Sequence, residues 1–213
     1  MKKCLIYIYL LLLTSLCCLQ AGAVSSEIRS LSVSDGLPDL VINTIYKDSK
    51  GYVWMGTNTS VERFDGIRLE HYMVEGSNEN LKRVFVLVEM PGNELWVGTG
   101  MGLFRLADDA EKLERLAPEM ITSGVHAFCK LGDVLYVGTE KGLYVYKGGV
   151  FEHVLVDKNV FSRANFVTGM VEGENGILWL STMGGLKSLR LSDQTITSFS
   201  DKLAKNGQNL SFY

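Results

Sequence analysis

Little in this 213-residue sequence supports covalent or metal chemistry. It holds four cysteines, three histidines and three prolines. Cys4, Cys17 and Cys18 crowd into its start, which leaves Cys129 alone and excludes an internal disulfide in the rest. That thiol sits in the apolar stretch His126-Ala127-Phe128-Cys129, where a small buried hydrophobe is expected. A nucleophile there would need a base, and His126, three residues away, belongs to the opposite strand face. His71, His126 and His153 are scattered and lack metal-ligand spacing of the H-E-x-x-H kind. Asp108-Asp109 and Asp133 are turn acids without a D-x-D-x-D-G loop. Gly100-Met101-Gly102 and Met183-Gly184-Gly185 are not followed by a helix, so they make no phosphate cradle. Ser60 and Ser181 fall in repeat columns and not on a strained elbow. The expectation is no catalytic residue, no metal and no cofactor. Basic clusters are also lacking: the formal charge is −3, which argues against nucleic acid as a partner.

Long apolar runs are absent except at the start. Lys2 and Lys3 precede an apolar run from Leu5 to Leu19, and Ala21-Gly22-Ala23 follows as an A-x-A cleavage site. This predicts a secretory signal peptide over residues 1–23 and a periplasmic product from residues 24–213. An uncleaved anchor is the alternative, but the run falls short of the roughly 20 residues that span a bilayer. A lipoprotein reading is weaker, since Thr14-Ser15-Leu16 lacks a leucine three residues before Cys17.

What the sequence does have is a repeat. Trp54-Met55-Gly56-Thr57, Trp96-Val97-Gly98-Thr99, Tyr136-Val137-Gly138-Thr139 and Trp179-Leu180-Ser181-Thr182 are spaced 42, 40 and 43 residues apart. Three residues after each Thr stand Ser60, Gly102, Gly142 and Gly185, each followed by a hydrophobe. A turn precedes every aromatic anchor, and a short apolar strand precedes every turn. The stretches between are β-branched and aromatic, broken by Gly, Asn and Asp. Four short strands per unit of about 40 residues is the pattern of a β-propeller blade. Four four-stranded antiparallel blades are therefore expected, at about 41–73, 84–116, 125–155 and 167–199. In this reading the aromatic anchor fills the gap between neighbouring blades. The Gly permits close backbone approach, and the Thr suits a strand end.

The first unit, Asp48-Ser49-Lys50-Gly51-Tyr52-Val53-Trp54-Met55-Gly56-Thr57, resembles the D-x-x-G-x-x-W-x-G-T repeat of the two-component regulator propellers. Leu31-Ser32-Val33-Ser34-Asp35-Gly36-Leu37-Pro38 is similar to the opening of their first blade, and Arg63-Phe64-Asp65-Gly66 to the end of its third strand. The third unit, with Tyr136 for Trp, matches loosely. The resemblance implies the periplasmic part of a sensor histidine kinase, of the hybrid type common in Bacteroidetes that responds to glycan breakdown products. It also implies a seven-bladed ring, and possession of a homodimeric full-length form. Strand 27–33 would then close the ring, and 209–213 would begin a fifth blade. On that basis the chain is expected to be the N-terminal part of an incomplete seven-bladed ring. The partners expected are the remaining blades, the kinase portion and an oligosaccharide. A small four-bladed ring closed by 27–33 is the rival.

A ligand site is expected where loops lead into the first strands. Those loops carry Asn43, Arg83, Arg163 and Asn165. Arg with Asn can grip a uronic or sulfated sugar through bidentate hydrogen bonds. The competing functional reading is a structural or protein-interaction propeller without a small ligand.

Overall fold

The computed structural model describes residues 30–74 and 81–199. The chain divides into two units, Met1–Leu31 and Ser32–Tyr213, and all sheets belong to the second. The signal peptide at 1–23 and the tail strand at 209–213 lie outside the described residues.

Among the described residues sixteen strands form four antiparallel sheets of four, each in simple up-and-down order. The first comprises β1 (Thr44–Lys47), β2 (Val53–Gly56), β3 (Val61–Phe64) and β4 (Leu69–Tyr72). The second comprises β5 (Val84–Met90), β6 (Glu94–Thr99), β7 (Gly102–Leu106) and β8 (Glu114–Arg115). The third comprises β9 (Val125–Leu131), β10 (Val134–Thr139), β11 (Gly142–Lys147) and β12 (Val150–Val154). The fourth comprises β13 (Val167–Glu172), β14 (Ile177–Thr182), β15 (Gly185–Arg190) and β16 (Thr195–Ser198). These are propeller blades: first strands lie side by side, β1 with β5, β5 with β9 and β9 with β13.

Each column of the repeat has a physical job. The threonine closes the hairpin between second and third strands. Thr99 Oγ1 donates to the Gly102 carbonyl at 3.0 Å and accepts from Met101 N at 3.1 Å. Thr139 does the same with Gly142 and Lys141, and Thr182 with Gly185 and Gly184. Gly102 and Gly142 take φ of +123°, which a side chain would strain. In the first blade Thr57 bonds Ser60 instead, so the turn survives without its glycine.

The glycine before the threonine in the first three blades is a contact point between blades. A Cβ on Gly56 would lie 2.5 Å from Val84 Cγ1, and one on Gly138 would lie 2.8 Å from Val167 Cγ1. Val84, Val125 and Val167, which begin the next blades, are fully buried. The aromatic anchor faces the same way. Trp54 packs among Leu87, Leu95 and Phe104 of the second blade, and Trp96 among Val125, Leu135 and Tyr144 of the third. Three apolar clusters result, one per blade junction.

Among the described residues, no packing of comparable extent joins the fourth blade to the first. Among the described residues the four blades form an open succession. On the outer face of blade four, Val171 and Leu186 are exposed and Trp179 is half-buried against Phe199.

Two expectations need correction. Of the closing strand 27–33, the described part is not strand. Ser32 caps a 3-10 turn, Val33–Asp35, in a capping box: Ser32 N donates to Asp35 Oδ2 at 2.9 Å, and Gly36 ends the turn at φ +101°. The fourth strand of blade two is two residues long, because Leu113 leaves the sheet to bridge Val74 of blade one.

Candidate functional site

Second strands run antiparallel to first strands, so one end of every blade carries both the entry to its first strand and its second hairpin. The entry is irregular in the same way in three blades. Register slips between Val84 and Val86, at Gly138/Thr139 opposite Val125 and Ala127, and between Val167 and Gly169. Phe85, His126 and Thr168 are the extra residues. Such bulges re-aim side chains that a regular ladder would hold in its pleat.

Two of these bulge residues, Phe85 and His126, form a row of rings with Phe166 across blades two to four. Phe85 and His126 have centroids 4.1 Å apart, and His126 and Phe166 4.7 Å apart. At one end the Arg83 guanidinium sits 5.4 Å from the Phe85 centroid. Its Nε donates to Asn43 Oδ1 at 3.1 Å. Asn43 Nδ2 donates to Asn58 Oδ1, and Asn58 Nδ2 to Asp39 Oδ2 at 2.8 Å. The backbone N–H of Val41 and the Asn58 amide hold the Asp39 carboxyl below its ordinary range. Beside the row, His126 Nε2 lies 3.2 Å from Glu140 Oε1. The site thus offers one exposed guanidinium, aromatic faces and amide groups, with a carboxylate to either side.

The arginine is held in place by the backbone. Lys82 and Arg83 are consecutive non-glycine residues at φ +49° and +75°. That conformation costs about 1–2 kcal/mol per residue. Arg83 N donates to Asn58 O at 2.8 Å, and Gly100 N donates to Arg83 O at 3.0 Å. A Cβ on Gly100 would stand 2.2 Å from the Lys82 carbonyl oxygen, so that glycine makes room for the loop.

Of the four residues named from the sequence, Asn43 and Arg83 meet. Arg163 is exposed in the 3-10 turn Arg163–Asn165 that leads to Phe166. Asn165 is 1% exposed. Its amide receives Asp157 N at 2.9 Å and donates to the Asp157 and Asn159 carbonyls. It therefore organises its own loop and presents nothing to a ligand. Asn58, Phe85, His126, Glu140 and Phe166 were missed. Asn58 had a signal, as it stands where the other repeats have Gly100, Glu140 and Met183.

Two other groups bear on chemistry. Cys129 packs into the third junction, and burial pushes its thiol up from its ordinary value. Glu62 is fully buried between the Ser60 hydroxyl, 2.6 Å away, and His71 Nδ1. Burial raises its carboxyl above the usual range. Among the described residues no group of three His, Cys, Asp or Glu is placed to hold a metal, and no helix is long and apolar enough to cross a membrane.

Residues 36–59 match the family model described as two component regulator propeller. The resemblance read from the first repeat therefore holds. A relative named histidine kinase P4, from Formosa agariphila, is 28% identical over 209 residues. That match takes in 87% of this chain but 15% of the relative, so the chain spans a small part of that protein's length. The extracellular domain of a hybrid two-component system from B. thetaiotaomicron superposes with a TM-score of 0.68 at 22% identity, over 80% of this chain and 26% of that one. A streptogramin B lyase shares the fold at a TM-score of 0.58 and 13% identity, over 76% of this chain and 55% of that chain.

Proposed function

We propose that this chain, with its two-component regulator propeller repeat, is the periplasmic ligand-sensing segment of a two-component sensor. It reads a glycan-derived signal at the first-strand entries and relays it to the histidine kinase portion of a longer protein. The observation that carries this reading is the row Arg83–Phe85–His126–Phe166, which crosses three blades on one face. A sugar ring can lie on the aromatic faces while its carboxylate or sulfate meets the guanidinium. Because the row belongs to separate blades, an occupant would bias how the blades sit together, which is a physical route from ligand to output. The similarity to a histidine kinase and to extracellular domains of hybrid systems supports the sensor half of the proposal. The exposed Val171 and Leu186 beside Trp179 support continuation of the ring, with a further blade packed on that face.

Thermal denaturation of the full chain against a panel of neutral, uronic and sulfated oligosaccharides tests the proposal. Ligand at a hundredfold excess over its Kd stabilises by about 2.7 kcal/mol, so a binder is readily seen. An anionic oligosaccharide is expected to raise Tm. Arg83→Ala is expected to weaken it by about tenfold to a hundredfold, the range for a lost charged hydrogen bond. No shift with any oligosaccharide, or the same shift with Arg83→Ala, would favour a propeller that only meets other proteins.

A further inference from the structure

The opposite face of the molecule carries turns between first and second strands and between third and fourth strands. There, equivalent junctions are treated differently. Between blades one and two an ion pair bridges the cleft. Lys50 pairs with Asp108 across it, and Ser49 Oγ donates to Glu89 Oε1 at 2.6 Å. Arg63 fills the interior, 4.7 Å above the Tyr52 ring. A void of about 20 Å³ remains beside the pair, room for about one water, and Lys50, Arg63, His71 and Asp108 also line an open hollow of about 670 Å³.

Between blades two and three the equivalent ion pair is missing. In the repeat, Gly92 stands where Lys50 stood, and Gly148 where Asp108 stood, so no ion pair forms at that place. A cleft of about 320 Å³ opens, lined by Trp96, Tyr146, Glu94, Lys130 and Asp133. Its aromatic wall is braced: Tyr146 meets Trp96 edge-on at 4.7 Å, and Phe151 backs both rings. Trp96 Nε1 donates to Glu94 Oε2 at 3.1 Å, which fixes the carboxylate at the rim. Lys130 Nζ reaches the Glu89 carbonyl at 3.0 Å and keeps two protons free of that bond.

The geometry points to this cleft as a second binding site, for the neutral pyranose ring of a single sugar. The volume lies at the low end of the roughly 300–1,000 Å³ of small-molecule sites, so it suits one ring and not a chain. Trp96 is almost wholly buried, so Tyr146, backed by Trp96 and Phe151, is the ring that meets the C–H face of a sugar. Carboxylates of Glu94 and Asp133 accept from hydroxyls, and the Lys130 ammonium donates to one. Glu94 and Asp133 against the one Lys130 leave the site without the excess positive charge that an anionic sugar would need. The site lies on the face opposite Arg83 and does not depend on the sensing row.

The test is titration of the full chain with glucose, galactose, mannose and xylose, observing the tryptophan indole N–H resonances. One of these sugars is expected to shift the Trp96 indole saturably in the millimolar range, leaving the Trp54 indole in place. Lys130→Ala and Asp133→Ala, both at exposed positions, should each weaken that binding about tenfold, and Arg83→Ala should not change it. Absence of a Trp96 shift with every sugar would overturn the assignment. So would a shift that survives both cleft substitutions unchanged, or one produced only by free amino acids.

Discussion

Trp96→Ala is expected to lower the unfolding free energy by about 3–5 kcal/mol, the range for deleting a buried large aromatic. Trp96 is 2% exposed and faces the third blade. It meets Tyr146 and Phe151 at 4.7 and 5.9 Å between centroids. Its removal takes apolar area from a junction and strips two aromatic contacts, each worth about 0.5–1.5 kcal/mol beyond area. Against a typical domain stability of about 5–15 kcal/mol, the loss is large. Trp179→Ala should cost clearly less, because Trp179 is only half-buried in the described residues. Equilibrium urea unfolding of both variants checks this. A loss below about 1 kcal/mol for Trp96→Ala, or equal losses for the two, would refute the inter-blade role of the anchor.

The second large effect is expected from one added methyl. Gly98→Ala would place a Cβ 2.6 Å from Val86 Cγ1, 2.8 Å from Val125 Cγ1 and 2.9 Å from the Val125 carbonyl oxygen. Alanine ordinarily gains about 0.4–1 kcal/mol over glycine by restricting the unfolded chain. Here overpacking between blades two and three, at about 1–3 kcal/mol, outweighs that gain. Trimming the opposed side chain should restore part of the loss, so Gly98→Ala with Val125→Ala should show a coupling energy above about 0.5 kcal/mol. Ser181 occupies the same column on the exposed face of blade four, and Ser181→Ala should stay within about 0.5 kcal/mol. Destabilisation of similar size at both positions would mean that the column has no junction role.

These two residues also show what the sequence could say. Trp, Gly and Thr recur because every junction meets the same steric demand, so periodicity alone located them. The anchor, the close approach and the hairpin were legible for that reason. Phe85 and His126 were not, because a bulge adds one residue without altering the residue types around it, and spacing of 42 or 40 absorbs the change. Asn165 looked like a loop amide open to solvent. Its burial follows from the fold of the Asp157–Asn165 loop, which no local pattern announces. Residues 30–33 are apolar and polar in strand-like alternation, yet the Ser32–Asp35 capping box decides their conformation. The loss of the Lys50–Asp108 type of pair between blades two and three came from two glycines whose meaning depends on which blades they face.

The most direct test of the sensing account is a map of where ligand binds. Isotope-labelled full chain would be titrated with an anionic oligosaccharide that raises Tm, following backbone and side-chain resonances. The account predicts saturable shifts at Arg83, Phe85, His126 and Phe166, with Asn43 and Asn58 following through their hydrogen bonds to Arg83 and to each other. Shifts confined to other surfaces, with the Arg83–Phe166 row unchanged at saturation, would contradict it.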